Sequence, residues 1–216
     1  EPIEFWDEET VKQYLPDFKP LNALDPEKPT TVGAFGMPDI YTEAKVAQND
    51  ALLKSKPEIL KAWKELGDLT GRYYNPVETY KADDAETIFV TMGSIGETVA
   101  MAVDELRKQD KPAGLIKLRL WRPFPFDELR EAAKGAKQLI IIDRAISYGG
   151  PGGPVASEIR SAFYGEKEMP TVTNFICGLA GRDVTPEDYI AIYSKSEEMV
   201  KGQVRQEDYV FYGVRE

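Results

Sequence analysis

From residue 85 onward, short apolar runs alternate with amphipathic stretches, and that alternation limits the folds open to the chain. The runs are Thr87-Ile88-Phe89-Val90-Thr91-Met92, Gly114 to Leu120, Gln138 to Asp143 and Thr171 to Cys177. Between the first two lies a stretch with Val99, Val103 and Leu106 at helical spacing. Phe126 to Ala133 reads as a short helix, and Val155 to Tyr164 as another, with Ala156, Ile159, Ala162 and Phe163 facing inward. A last helix is expected from Pro186, a favoured first helical residue, after Thr185 as cap. Strand-helix alternation of this kind builds βαβ units. The expected fold is α/β, a mainly parallel sheet with helices on both faces and right-handed crossovers.

The first part of the chain reads differently. Residues 1–80 are expected to form an extended arm and helical linker, and residues 81–216 the α/β domain. Asp7 to Tyr14 is a candidate short helix with Asp7 as cap. Pro16, Pro20, Pro26, Pro29 and Pro38 then interrupt any regular element. Phe5, Trp6, Tyr14, Leu15, Phe18 and Phe35 are too many apolar side chains for a free linker and predict a surface to bury against. Over 51–74, Leu52, Leu53, Ile59, Leu60, Trp63, Leu66, Leu69 and Tyr73 recur at helical spacing, with Pro57 placed to start or kink that helix. The chain opens on Glu1-Pro2-Ile3-Glu4 rather than Met, which fits a piece of something longer or a trimmed end equally well.

Composition narrows the chemistry. Of 216 residues, 42% are hydrophobic and 30% charged, ordinary for a chain that buries a core. The net charge of -10 argues against nucleic acid as a partner, which needs a basic face, but leaves room for a local basic pocket. No run reaches the ~18 apolar residues of a membrane helix, and no signal peptide is visible, so the expected location is the cytoplasm. Cys177 is the single cysteine, which excludes a disulfide framework and a cysteine-ligated cluster within the chain. There is no histidine, which removes the commonest general base, the Ser-His-Asp triad and His-ligated metals. No catalytic residue and no metal ligand is assigned.

Ligands of such sheets meet the loops at the carboxyl ends of the strands. Three of those loops are glycine-rich: 93–96, 149–153 and 178–181. The candidate binding residues are Gly93, Ser94 and Gly96 in the first, and Arg144, Gly149, Gly150, Gly152 and Gly153 around the second. Gly93-Ser94-Ile95-Gly96 opens a helix N-terminus that could hold a phosphate, or is simply a tight strand-helix turn. It is neither a dinucleotide fingerprint nor a Walker loop. The 149–153 loop reads as a tight subunit contact or a small-molecule site. Arg122 and Arg182 are expected at the sheet edge, Arg182 paired with Asp183. Cys177 reads as a buried inert thiol. Asp83-Asp84-Ala85-Glu86 reads as a solvated strand entry.

Six segments run in an order that resembles the 2-oxoacid:ferredoxin oxidoreductases. They are Tyr80 to Glu86, Met92-Gly93-Ser94, Arg122-Pro123-Phe124-Pro125, Asp143-Arg144, the 149–153 loop, and Asn174 to Asp183. The likeness is greatest to the C-terminal half of the α subunit of the pyruvate enzymes, a transketolase C-terminal-like domain with its lead-in, where Leu24 to Pro29 resembles the linker after the preceding domain.

The resemblance implies a whole enzyme that decarboxylates a 2-oxoacid on thiamine diphosphate and Mg2+. Electrons would pass through [4Fe-4S] clusters to ferredoxin, and an acyl-CoA would form. None of these cofactors is expected to be bound by this chain alone. Implied partners are pyrimidine-binding, diphosphate-binding, γ and ferredoxin-like parts of the same enzyme, with ferredoxin as acceptor. The chain's own part would be structural, in assembly. Two other readings stand beside it: a stand-alone CoA- or nucleotide-binding module of flavodoxin-like topology, and an interaction scaffold unconnected to catalysis.

Overall fold

The computed structural model describes residues 5–15, 17–31, 33, 35–202 and 207–215. The opening residues 1–4 and Pro16, read above as one of the breakers, lie outside the described residues. The chain divides into two compact units, Glu1–Asn49 and Asp50–Glu216.

In the first unit, α1 spans Glu8–Tyr14, and Asp7 caps it as expected, its carboxylate accepting from the Thr10 N–H at 2.8 Å. Phe5, Leu15, Phe18 and Phe35 are exposed, while Trp6 and Tyr14 are half-buried with their rings packed edge to face at 6.3 Å. The proline-rich stretch after α1 is expected to be an extended arm up to residue 50, yet α2 spans Pro38–Lys54. Pro38 is the reason for the difference. At the first helical position its missing N–H costs nothing, so it starts a helix there rather than breaking one. The single helix expected over 51–74 is likewise two. α2 ends at Lys54, and α3 runs Lys56–Thr70 with Pro57 in its first turn. Pro57 cannot donate back to the preceding turn, so the ladder stops there. The Leu52 carbonyl accepts from both the N–H of Ser55, at 3.1 Å, and its Oγ, at 2.7 Å, which closes the last turn of α2.

Among the described residues, the second unit carries a six-stranded sheet in the order β1-β3-β2-β4-β5-β6. The strands are β1 Val77–Tyr80, β2 Thr87–Met92, β3 Ala113–Leu118, β4 Gln138–Asp143, β5 Thr171–Ile176 and β6 Val210–Phe211. β1 is antiparallel to β3, and every other pairing is parallel. The sheet thus takes in Val77–Tyr80, which the sequence reading leaves in the lead-in, and Val210–Phe211, which it does not single out. The mainly parallel α/β architecture is the one expected.

Besides α3, the α-helices that lie wholly in this unit among the described residues are α4 Ile95–Lys108, α5 Phe126–Ala132, α6 Pro154–Phe163 and α7 Pro186–Val200. α7 opens with the expected Thr185 cap, here a full capping box with Asp188. On one face of the sheet, Ile88, Val90, Leu139 and Ile141 pack under Leu129 of α5 and Ala156 and Ile159 of α6. On the other, Phe89, Leu115, Ile140 and Phe175 pack under Val99, Val103 and Leu106 of α4 and Tyr189, Ile192 and Tyr193 of α7. Alternate residues of one strand therefore reach opposite cores. That is why the strands read as unbroken apolar runs rather than alternating ones. Each buried side chain of this size contributes roughly 1.5–3 kcal/mol.

Candidate functional site

The strand order fixes where a ligand or partner would meet this sheet. From β2 the chain turns outward to β3, and from β4 it turns the other way to β5. Connections that diverge from adjacent parallel strands open a crevice at their carboxyl ends. The 93–96 and 144–153 loops flank that crevice.

The first loop is a strand-helix turn. Ser94 precedes α4 without a side-chain cap bond, and the Gly96 N–H donates to the Gly93 carbonyl at 3.2 Å. The side chains nearest Gly96 are Thr91 and Lys117, and Lys117 Nζ pairs with Glu97 at 2.6 Å. Thr91 Oγ1 is buried beneath this turn without a hydrogen-bond partner.

The second loop is organised from within. Asp143 ends β4 with its carboxylate buried. The N–H groups of Val155 and Ala156, in the first turn of α6, donate to it at 3.0 and 3.1 Å, and Asn174 Nδ2 of β5 donates at 3.0 Å. The amide oxygen of Asn174 accepts from the Gly153 N–H at 2.9 Å. Burial pushes the Asp143 carboxyl above its ordinary value, opposed by the backbone donors, by Asn174 and by the positive charge of Arg160. The N-terminus of α6, the end that could receive an anion, is therefore occupied by the protein's own carboxylate.

Two glycines make this packing possible. A side chain on Gly153 would start 2.1 Å from Asp143 Cγ. Gly152 has φ 126°, and a side chain there would start 2.5 Å from Asn174 Oδ1. Gly149 and Gly150 form the tip with Ser147 and Tyr148: the Gly150 N–H donates to the Ser147 carbonyl at 2.9 Å, and Ser147 bridges to Gly152. Tyr148 is 92% exposed at that tip. Arg144 leaves the loop and donates from Nε to the Gly178 carbonyl after β5, at 3.3 Å.

Sequence reasoning quoted Asp143 and Asn174 without giving them a role. The signal was present, since each is a polar residue set in or against an otherwise apolar strand, where it must find partners.

Three side chains singled out earlier can now be placed. Arg122 pairs with Glu158 at 3.0 Å and lies over the Trp121 ring at 4.7 Å. Arg182 does not pair with Asp183 as expected; it donates to the carbonyl of Gly213, the segment after β6 having come within its reach. Cys177 is buried, and that burial pushes its thiol up to about 11. In the acidic strand entry, Asp84 is held by Arg107 and Glu86 by Lys137.

The donor set does not suit a resident cluster or metal. A [4Fe-4S] cluster takes four thiolates, against one cysteine and no histidine in the sequence. Among the described residues no group of three or more Cys, Asp or Glu converges. Asp143 is already committed to three N–H donors.

Comparison with known proteins defines the class first. Residues 85–189 match the pyruvate:ferredoxin oxidoreductase core domain II. Pyruvate synthase subunit PorA of Methanothermobacter thermautotrophicus is 39% identical over 197 residues, 91% of this chain and 50% of the relative. The subunit of the same name from Pyrococcus horikoshii is 40% identical over 210 residues, covering 95% of this chain and 52% of the relative. Ketoisovalerate oxidoreductase subunit VorA of that organism is 36% identical over 210 residues, covering 96% of this chain and 53% of the relative. The chain belongs to the 2-oxoacid:ferredoxin oxidoreductase family. It spans about half the length of the curated relatives it matches.

Proposed function

We propose that this chain is part of a pyruvate:ferredoxin oxidoreductase of the cytoplasm and serves assembly within it. The whole enzyme would decarboxylate pyruvate oxidatively, form acetyl-CoA and reduce ferredoxin. It would use thiamine diphosphate with Mg2+, [4Fe-4S] clusters and CoA, held by pyrimidine-binding, diphosphate-binding, γ and ferredoxin-like parts. The observation that carries this reading is the likeness to pyruvate synthase subunits over nearly the whole chain. The likeness to a ketoisovalerate oxidoreductase subunit makes branched 2-oxoacids the natural competing substrates. Among the described residues no helix is long and apolar enough to cross a membrane.

The assembly role is supported by the chemistry of the carboxyl edge. Its buried acid caps a helix, its thiol is buried and held protonated, and its glycines admit packing, so the edge offers a shaped surface tipped by Tyr148 rather than reactive groups. The test is turnover of the anaerobically assembled enzyme, followed by ferredoxin reduction with pyruvate and with 2-oxoisovalerate. Faster reduction with pyruvate is expected; preference for the branched acid would overturn the substrate assignment. Tyr148→Ala should leave the melting temperature of the chain in place and reduce its recovery in the assembled enzyme. Unchanged recovery would count against an assembly role for that loop.

A further inference from the structure

The arginines of the α/β unit fall into two groups. Arg107, Arg119, Arg122 and Arg130 each hold a carboxylate, at 2.7, 2.6, 3.0 and 3.1 Å. Arg72, Arg144, Arg160, Arg182 and Arg215 hold none among the described residues; Arg160 is taken up by the carbonyls of Pro151 and Asp208, while Arg144, Arg182 and Arg215 lie around the carboxyl end of β5. Arg144 and Arg182 are steadied instead by backbone carbonyls, of Gly178 and Gly213. A guanidinium carries five N–H donors, so a single carbonyl leaves most of the Arg182 fork unused. In a chain of net charge -10 this local excess of unpaired cations is not a product of composition.

A cavity of about 660 Å³ opens there, lined by residues 179–183 with Gly213 and Arg215. It falls within the roughly 300–1,000 Å³ of small-molecule sites. Asp183 is the single acid in its lining, against two arginines, so the cavity is net positive. Its wall is the 3-10 turn Leu179–Gly181, where the backbone is left-handed at Gly178 (φ 67°), Ala180 (φ 52°) and Gly181 (φ 77°). A left-handed alanine is disfavoured by its Cβ, and such residues collect at ligand clamps.

We infer that this cavity binds the phosphate group of a small molecule, held by Arg182 and Arg215. The planar guanidinium fork matches phosphate oxygens, and two cations match a dianionic phosphate ester better than a single carboxylate. The inference does not depend on the oxidoreductase reading, because it uses only this chain's own residues and its test needs no turnover.

The test is titration of the ¹⁵N-labelled full chain with inorganic phosphate and with ADP, at ionic strength held constant with chloride. Saturable shifts are expected at the amides of Gly181, Arg182 and Gly213. Arg182→Gln or Arg215→Gln should weaken the affinity roughly ten- to hundred-fold, and Lys61→Gln, on α3, should not change it. Arg215 is exposed, so its substitution leaves the fold in place. Tighter binding of ADP identifies a phosphate ester as the ligand, and equal affinity identifies the free phosphate group as the recognised unit. Unmoved amides, or shifts equally produced by chloride, would overturn the inference. So would movement by an oligoglutamate peptide and not by phosphate, which would assign the surface to an acidic protein partner.

Discussion

The loops that follow β4 and β5 look alike as sequence and differ as structure. Both leave neighbouring parallel strands at the same edge, and both are rich in glycine. In 144–153 two of the glycines face inward, Gly152 making way for Asn174 and Gly153 for Asp143, and the helix end is closed by a carboxylate. In 177–183 the thiol points into the core while the left-handed residues and Arg182 line an open cavity. Glycine content therefore does not mark a ligand site by itself. What separates the two is whether the charged group beside the glycines already has its partners.

The comparison breaks most readily at Gly153. Gly153→Ala drives a methyl into Asp143 and should cost about 4 kcal/mol or more, or prevent folding, measured by urea unfolding. A loss below about 1 kcal/mol would mean that the loop is not packed from within. Asp143→Ala comes next. It strands the Val155 and Ala156 N–H groups and Asn174 Nδ2, for an expected loss of about 3 kcal/mol by the same measurement.

The inward thiol of the second loop gives a pH test. The Cys177 thiol stands raised to about 11 from an ordinary 9.0. A raised value means that its contribution is fully present below pH 9 and is lost as pH climbs through 11. Wild type should shed roughly 2–3 kcal/mol over that window, and Cys177→Ala should lack this component of the slope. Native Cys177 should also resist thiol reagents at pH 8 until denaturant is added. The smallest effect is expected at Ala180. Ala180→Gly relieves a left-handed alanine and should stabilise the chain by about 1 kcal/mol in thermal unfolding.

Much of this fold was legible because its strands are buried on both faces. β2 to β5 could be read from unbroken apolar runs, and α4 to α7 from helical spacing, since in each the pattern and the burial agree. The elements that escaped lacked such a pattern. β1 is four residues long and half-exposed at an antiparallel edge, and β6 is two residues long. Their place depends on pairing partners distant in the chain. α2 has no buried face, so no periodicity announces it, and Pro38 reads equally as breaker or starter until the helix is seen.

The same division holds at the candidate site. The carboxyl-edge loops were legible from topology alone. The roles of Asp143 and Asn174 were not, because they depend on which strand lies beside which. Arg182 has Asp183 next to it in sequence, but Gly213 beside it in space.

The central proposal is that the chain serves assembly inside a 2-oxoacid:ferredoxin oxidoreductase and ligates neither its iron-sulfur clusters nor its thiamine diphosphate. The most direct measurement is anaerobic affinity purification of the chain from its native extract, with mass spectrometry and visible absorbance of the material recovered. The account predicts brown, cluster-bearing protein containing thiamine diphosphate in other polypeptides or domains, with this chain colourless once separated. A partnerless, colourless chain, or a cluster retained by this chain alone, would contradict it.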